Sequence, residues 1–249
     1  MKFEIKKGTK DFIENILMKG VVYESKMLDY IQTNFKEGTF VDVGSYIGTH
    51  SLFFSEIADK VISFEPIRET YLKQLRNIEL NGVTNIEVHN CAIGSKTGTI
   101  DMRIGTEYNR GNSHVVKGDE QSTHTVKVFK LDDFNLKGVT VIKIDVEEHE
   151  LEVLKGAEET IKANKPGLFI EIRSTMTELT KFNSANVSHV LNNKEFKQIY
   201  DFLKQFNYEV SPYIFGETPT YHFRYKYSHI NCDEKSFSSK DKNPAIVLS

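Results

Sequence analysis

The chain has 249 residues, 39% hydrophobic and 27% charged, which is enough for one sizeable buried core and too few to require two. Its 32 basic and 35 acidic side chains leave a formal net charge of −3, which excludes the basic excess of a general nucleic-acid binder. Two cysteines, Cys91 and Cys232, make neither a disulfide framework nor a metal-ligand spacing, and no apolar stretch approaches the ~20 residues that span a bilayer. The N-terminus lacks the apolar core of a signal peptide, and Lys2, Lys6, Lys7 and Lys10 read as a solvated face. The expectation is a cytoplasmic protein with no membrane anchor.

In chain order, residues 1–38 are expected to form an N-terminal helical cap segment, with a helix over 22–35 that covers the site or packs on a sheet edge. Residues 39–43 read as a buried strand, 51–59 as a helix and 60–65 as a second strand. The spacing of Tyr71, Leu72, Leu75, Ile78 and Leu80 predicts a helix over 70–80 with those residues on its apolar face. Residues 85–89 are a third strand, 139–145 another, 149–163 a helix, and 168–172 a further strand. Short apolar runs alternating with helices argue for a mostly parallel, doubly wound α/β sheet with ligands at its carboxyl ends.

The segment of about 95–131 interrupts the alternation. It offers two strands, 99–104 and 125–129, as a hairpin-like insertion, with the polar run 109–114 placed to close over an acceptor. After it, a helix over 194–206 and strands over 208–214 and 221–227 complete a seven-stranded sheet. Tyr221, Phe223, Tyr225 and Tyr227 mark one strand face. The domain is expected to span 39–235, with a tail over 236–249.

Asp42-Val43-Gly44-Ser45-Tyr46-Ile47-Gly48 follows the first strand and enters a helix. Glycines at 44 and 48 let the backbone turn sharply and approach a ligand. Glu65, ending the next strand, is placed to accept hydrogen bonds from both hydroxyls of a ribose. A dinucleotide fingerprint carries GxGxxG for a pyrophosphate, whereas this loop is GxxxG with an acid two residues before it. That acid disfavours phosphate and suits a cation, which favours S-adenosyl-L-methionine, with its sulfonium and ammonium, over NAD.

These motifs, with Ser63-Phe64-Glu65-Pro66, Ala92-Ile93-Gly94, Leu131-Asp132-Asp133-Phe134, Ile142-Lys143-Ile144-Asp145-Val146-Glu147, Lys155-Gly156-Ala157 and Ile170-Glu171, resemble the FkbM-type methyltransferase family over about 39–173. The resemblance implies a Rossmann-like class I methyltransferase fold and O-methylation of a hydroxyl on a sugar, glycan or other small metabolite. It implies cofactor binding by Asp42, Gly44, Gly48 and Glu65, with Cys91 and Ala92 beside the adenine; Ser45 and Tyr46 of the same loop, and Asp145 at a strand end, are expected to join them. The chain departs from the family at Ser45-Tyr46, where a small residue and Asn are usual, and at Glu148, where Gly is usual.

For chemistry, Asp145 is read as orienting the acceptor or touching the cofactor, and His149 as the general base. Glu147, Glu148 and Glu150 are read as complementing a helix N-terminus. Asp145 and Glu171 end neighbouring strands and are the residues that would take Mg²⁺, but two carboxylates assign no metal. His50, His114 and His124 read as surface or satisfied core residues. A ribose 2′-O nucleic-acid methyltransferase is the first alternative. It needs lysines in the site, and Lys143 is expected on the face opposite Asp145. A catalytically inactive methyltransferase-like binding protein is the second.

Overall fold

The computed structural model describes residues 1–173, 193–215 and 220–226 and the pair 247–248. Cys232, Tyr227 and all of the expected tail except that pair lie outside the described residues. Thirteen strands are described: β1 (Lys2–Phe3), β2 (Thr39–Val43), β3 (Lys60–Phe64), β4 (Ile86–His89), β5 (Ala92–Ile93), β6 (Gly98–Arg103), β7 (His114–Val115), β8 (His124–Phe129), β9 (Val139–Ile144), β10 (Gly167–Glu171), β11 (Tyr208–Phe215), β12 (Thr220–Tyr225) and β13 (Val247–Leu248). The α-helices are α1 (Phe12–Met18), α2 (Ser25–Asn34), α3 (Thr49–Phe54), α4 (Arg68–Asn81), α5 (Glu150–Gly156), α6 (Glu158–Asn164) and α7 (Lys194–Lys204). No described helix is long and apolar enough to cross a membrane.

The main sheet has seven strands in the order β11-β12-β10-β9-β2-β3-β4. Strands β10, β9, β2, β3 and β4 run parallel, and β12 runs antiparallel between β10 and β11. This is the expected doubly wound, mostly parallel sheet. Its central strands are apolar on both faces because helices cover both. Val41, Val43, Ile142, Ile144, Leu168 and Ile170 pack against Val153, Leu154, Ile161, Phe196, Ile199 and Leu203 of α5, α6 and α7. On the other face, Phe40, Val61, Val141 and Phe169 pack against Met27, Leu28, Tyr30 and Ile31 of α2 and Phe53 and Phe54 of α3. The N-terminal segment is therefore part of the core.

The insertion is a four-stranded sheet, β5-β8-β6-β7. Strands β6 and β8 pair antiparallel, as the hairpin reading expects, while β5 and β7 are too short to be visible in a sequence pattern.

Two helical expectations are corrected. On α4, Leu72, Leu75 and Leu80 are 37–38% exposed, and the buried residues are Gln74, Asn77 and Ile78. The helix backs onto the glycine loop, whose polar groups need polar partners, so amides replace leucines on its inner face. The single helix over 149–163 is instead two, α5 and α6, meeting at Ala157. Asp132, in a 3₁₀ turn over Leu131–Phe134, accepts hydrogen bonds from Glu159 N (3.0 Å), Thr160 N (2.8 Å) and Thr160 Oγ1 (2.7 Å). It satisfies free N–H groups at the start of α6, as a local cap would. Asp132→Ala is expected to lower stability by about 1–2 kcal/mol, read as a lower urea midpoint with an unchanged slope.

Candidate active site

Strand β2 ends at Val43, and Gly44 turns the chain at φ +83. A Cβ there would lie 1.8 Å from the Asp145 carbonyl oxygen, so only glycine permits this contact between the loop and the end of β9. Gly44 N and Ser45 N both donate to Phe64 O, at 3.0 and 3.1 Å. Gly48, at φ +87, caps α3 against the Gln74 side chain. Beneath the loop, Ser51 donates to Asp42 Oδ2 (2.5 Å), Gln74 Nε2 donates to Ser51 (3.2 Å), and Ser45 donates to Gln74 Oε1 (2.8 Å). Asp42 is fully buried in this network and lines neither of the cavities described below.

A cavity of about 660 Å³ opens at the carboxyl ends of β2, β3 and β9. It gathers Gly44, Tyr46, Glu65, Cys91, Ala92, Asp145 and His149, all expected site residues. Met102, Arg110, Gly111, Ser113 and Val115 of the insertion close its outer wall. Glu65 is buried, and each carboxylate oxygen accepts one backbone N–H: Oε2 from Tyr46 (3.0 Å) and Oε1 from Ile67 (2.8 Å). Burial pushes its pKa up to about 8, and the Asp42 and Asp145 charges add to that against the two N–H groups. Burial also raises the Cys91 thiol to about 11 and lowers the His149 imidazole. His149 lines this first cavity only.

A second cavity, of about 640 Å³, shares Gly44, Tyr46, Gly111 and Asp145 with the first. Ser45, Thr49, His50, Lys143, Glu147 and Glu171 line it, with Phe12, Ile13 and Tyr23 of the N-terminal segment and Asn109 of the insertion. Here the expectation for Lys143 is corrected. Side chains two apart on a strand share a face, and the buried Lys143 ammonium donates to Asp145 Oδ2 at 2.8 Å. Burial alone would lower its pKa, but the carboxylates of Asp145, Glu24, Asp42 and Glu171 outweigh this and raise it. Burial and the Asp145 and Glu24 charges push Glu171 up to about 10. Glu147, chiefly through burial, rises to about 7. The cation beside Asp145 is thus a protein side chain, and among the described residues no group of three or more His, Cys, Asp or Glu could hold a metal ion.

Beyond Asp145, Glu147 and Glu148 are both left-handed, at φ +55 and +68. The second is the position where the resembled family usually has Gly, which this conformation favours. Glu150 Oε1 accepts Glu148 N at 3.2 Å, and Glu148 pairs with Lys117 (2.5 Å) and Arg173 (2.8 Å). These contacts hold a turn that the Glu148 side chain disfavours. Sequence reasoning assigned no role in the site to Lys143, His50 or Glu24. For Lys143 the signal was present in the period-two pattern. For Glu24 there was none, because its neighbour His50 is distant in sequence.

A family model described as the Methyltransferase FkbM domain matches residues 42–210. Among curated proteins, Methyltransferase 1 of Beauveria bassiana is 28% identical over 144 residues, covering 48% of this chain and 58% of that protein. Hexuronic acid methyltransferase AglP of Haloferax volcanii is 34% identical over 119 residues, covering 46% of this chain and 48% of its own. The crystal structure of methyltransferase FkbM from Methylobacillus flagellatus matches with a TM-score of 0.50 at 22% identity, covering 76% of this chain and 44% of that one. The chain spans about half the length of the curated relatives it matches. The fold is the Rossmann-like class I methyltransferase fold. The chain belongs to the FkbM methyltransferase family.

Two predictions come from the buried charges. Lys143→Met leaves several carboxylates facing each other without a cation, and is expected to destabilise the protein by roughly 3–5 kcal/mol, measured by denaturant unfolding. The second concerns pH. The Glu65 carboxyl titrates near 4.3 when unfolded and near 8 when folded, so between those values the folded chain holds a proton that the unfolded chain has released. Stability therefore falls as pH rises through this window. Glu147 and Glu171 act in the same direction. His149, with its pKa lowered, acts oppositely but only below its ordinary value near 6.5. Between pH 6.5 and 8 the Tm of the ligand-free protein is expected to fall, and the slope to be shallower in Glu65→Gln, by scanning calorimetry.

Proposed function

We propose that the protein is an S-adenosyl-L-methionine-dependent O-methyltransferase acting on a hydroxyl of a sugar, glycan or other small metabolite. The observation that carries this reading is Glu65. It is a buried carboxyl group at the wall of the first cavity, held by two backbone N–H groups, with further hydrogen-bonding capacity on both oxygens for a pair of hydroxyls. That chemistry fits a ribose. Cys91 and Ala92 are assigned to the adenine, and Gly44, Tyr46 and Asp145, shared by both cavities, to the methionine end. Ser45 and Gly48 hold the loop, and Asp42 acts from beneath it through Ser51. When bound, S-adenosyl-L-methionine supplies an electrophilic methyl group on a sulfonium. The carboxylates around Asp145 favour such a cation and oppose a pyrophosphate, which argues against NAD.

The second cavity is assigned to the acceptor. Asp145, held by Lys143, is the aligning group at the junction, and His149, on the first cavity alone, belongs with the cofactor wall. In this reading residues 39–235 are the methyltransferase domain, with the insertion at about 95–131, and 1–38 close the site. The AglP relative, named as a hexuronic acid methyltransferase, supports a sugar acceptor. Among the described residues, Lys143 in the site is the feature that suits a ribose 2′-O nucleic-acid enzyme. Its bond to Asp145 and the surrounding carboxylates make the cavity a poor host for a phosphate backbone.

Isothermal titration tests the reading. Binding of S-adenosyl-L-methionine and S-adenosylhomocysteine but not NAD is expected, weakened about 100-fold in Glu65→Ala, because two hydrogen bonds to the Glu65 carboxyl group are lost. Binding without methyl transfer to any sugar would instead support an inactive binding protein. Absence of binding by the folded chain would overturn the assignment.

A further inference from the structure

His50 follows the glycine loop in the first turn of α3 and lines the second cavity. Its side chain is 7% exposed, between the rings of Tyr23 (centroids 6.1 Å apart) and Phe54 (6.3 Å, stacked at 27°), which fix the plane of the imidazole. Its Nε2 is buried, 3.1 Å from Glu24 Oε2, an ion-pair contact set off the axis of an ideal hydrogen bond. Nδ1 is the ring nitrogen that does not face Glu24, on a residue that lines the second cavity.

Glu24 is built into this position at a cost. It is a non-glycine residue at φ +53, in the left-handed region, as the N-cap of α2, yet its side chain makes no cap hydrogen bond. Its carboxylate is instead directed into the protein, where Oε1 accepts from Thr220 Oγ1 at 2.9 Å. Strain of this kind persists where the surroundings over-determine it, and it concentrates at functional sites. Burial works against the Glu24 charge, but His50, Lys143 and Thr220 outweigh it and hold the pKa below the ordinary value, so Glu24 is a carboxylate.

Other groups facing the second cavity are less suited to take a proton. Lys143 is an ammonium bonded to Asp145, which occupies a carboxylate oxygen of that residue. Glu171, with a pKa near 10, is already protonated at neutral pH. Glu147 is engaged by Arg173 at 3.3 Å, and burial raises the Tyr23 phenol. With Nε2 3.1 Å from the Glu24 carboxylate, the charge favours a proton on Nε2, and that tautomer leaves Nδ1 as a bare acceptor.

We propose that His50 is the general base for the acceptor hydroxyl and that Glu24, from the N-terminal segment, is the positioning residue that fixes its tautomer. The inference rests on the methyl-transfer reading above. The acceptor proton passes to Nδ1. The acceptor oxygen bonds to the methyl carbon as the carbon–sulfur bond breaks, and that bond's electron pair stays on sulfur. The sulfonium charge is thereby replaced by an imidazolium charge opposite the Glu24 carboxylate, and loss of the proton to water restores the base.

The test uses the full chain with ¹⁵N-labelled histidine. Long-range ¹H–¹⁵N spectra are expected to show His50 with a proton on Nε2 and a bare Nδ1, and Glu24→Gln is expected to shift this tautomer balance. A proton on Nδ1, or a balance unmoved in Glu24→Gln, would overturn the proposal whatever the acceptor. Methyl transfer from S-adenosyl-L-methionine to methyl β-D-glucuronide is the second readout. A fall in kcat of roughly 10²–10⁴-fold in His50→Gln, with cofactor affinity unchanged and partial rescue of His50→Ala by added imidazole, is expected. Transfer unchanged in His50→Gln would refute the base. Failure of the wild-type chain to bind the cofactor would instead remove the methyl-transfer reading, so the two failures are distinct.

Discussion

The buried ammonium of Lys143 is the constraint around which the site is organised. A charge taken from water into a protein interior must be paired and hydrogen-bonded or it costs several kcal/mol. Lys143 lies in the middle of the sheet, beside Asp42 in the register of β2 and β9 and bonded to Asp145 just beyond the end of its own strand. Glu171 comes from the end of β10, and Glu24 from the N-terminal segment. One cation thus has around it carboxyl groups from three adjacent strands and a distant helix. Glu24, at the start of α2, thus links that helix to the charged cluster beside the second cavity.

The loop after β2 separates the two cavities. Gly44 presses on the carbonyl of Asp145, so the loop and the end of β9 form a continuous wall whose two sides present Tyr46 and Asp145 to both spaces. The outer walls come from segments outside the alternating core. Asp11 ties them together: one oxygen accepts Glu14 N at the start of α1, and the other accepts Arg110 N of the insertion at 2.9 Å. Phe12 N donates to Tyr108 O at 2.8 Å across the same junction. The central sheet supplies the inner wall of both cavities, and the added segments supply their outer walls.

Most of the architecture was legible in the chain itself. The strand over 39–43, the hairpin over β6 and β8, the glycine loop and Glu65 follow from local patterns whose physical causes are local: period-two burial, positive φ, and a carboxylate at a strand end. The same period also placed Lys143 beside Asp145, although an opposite placement was expected. What only the tertiary structure decided depends on partners far apart in sequence. The apolar pattern on α4 gave way to a polar inner face because the loop behind it needed hydrogen bonds. The helix over 149–163 divided because Asp132 caps its second half. His50 acquired a carboxylate partner only when folding brought Glu24 to it. Local propensity and period determine elements and the direction of their side chains, but the pairing of buried charges is set by long-range packing, which a single sequence does not display.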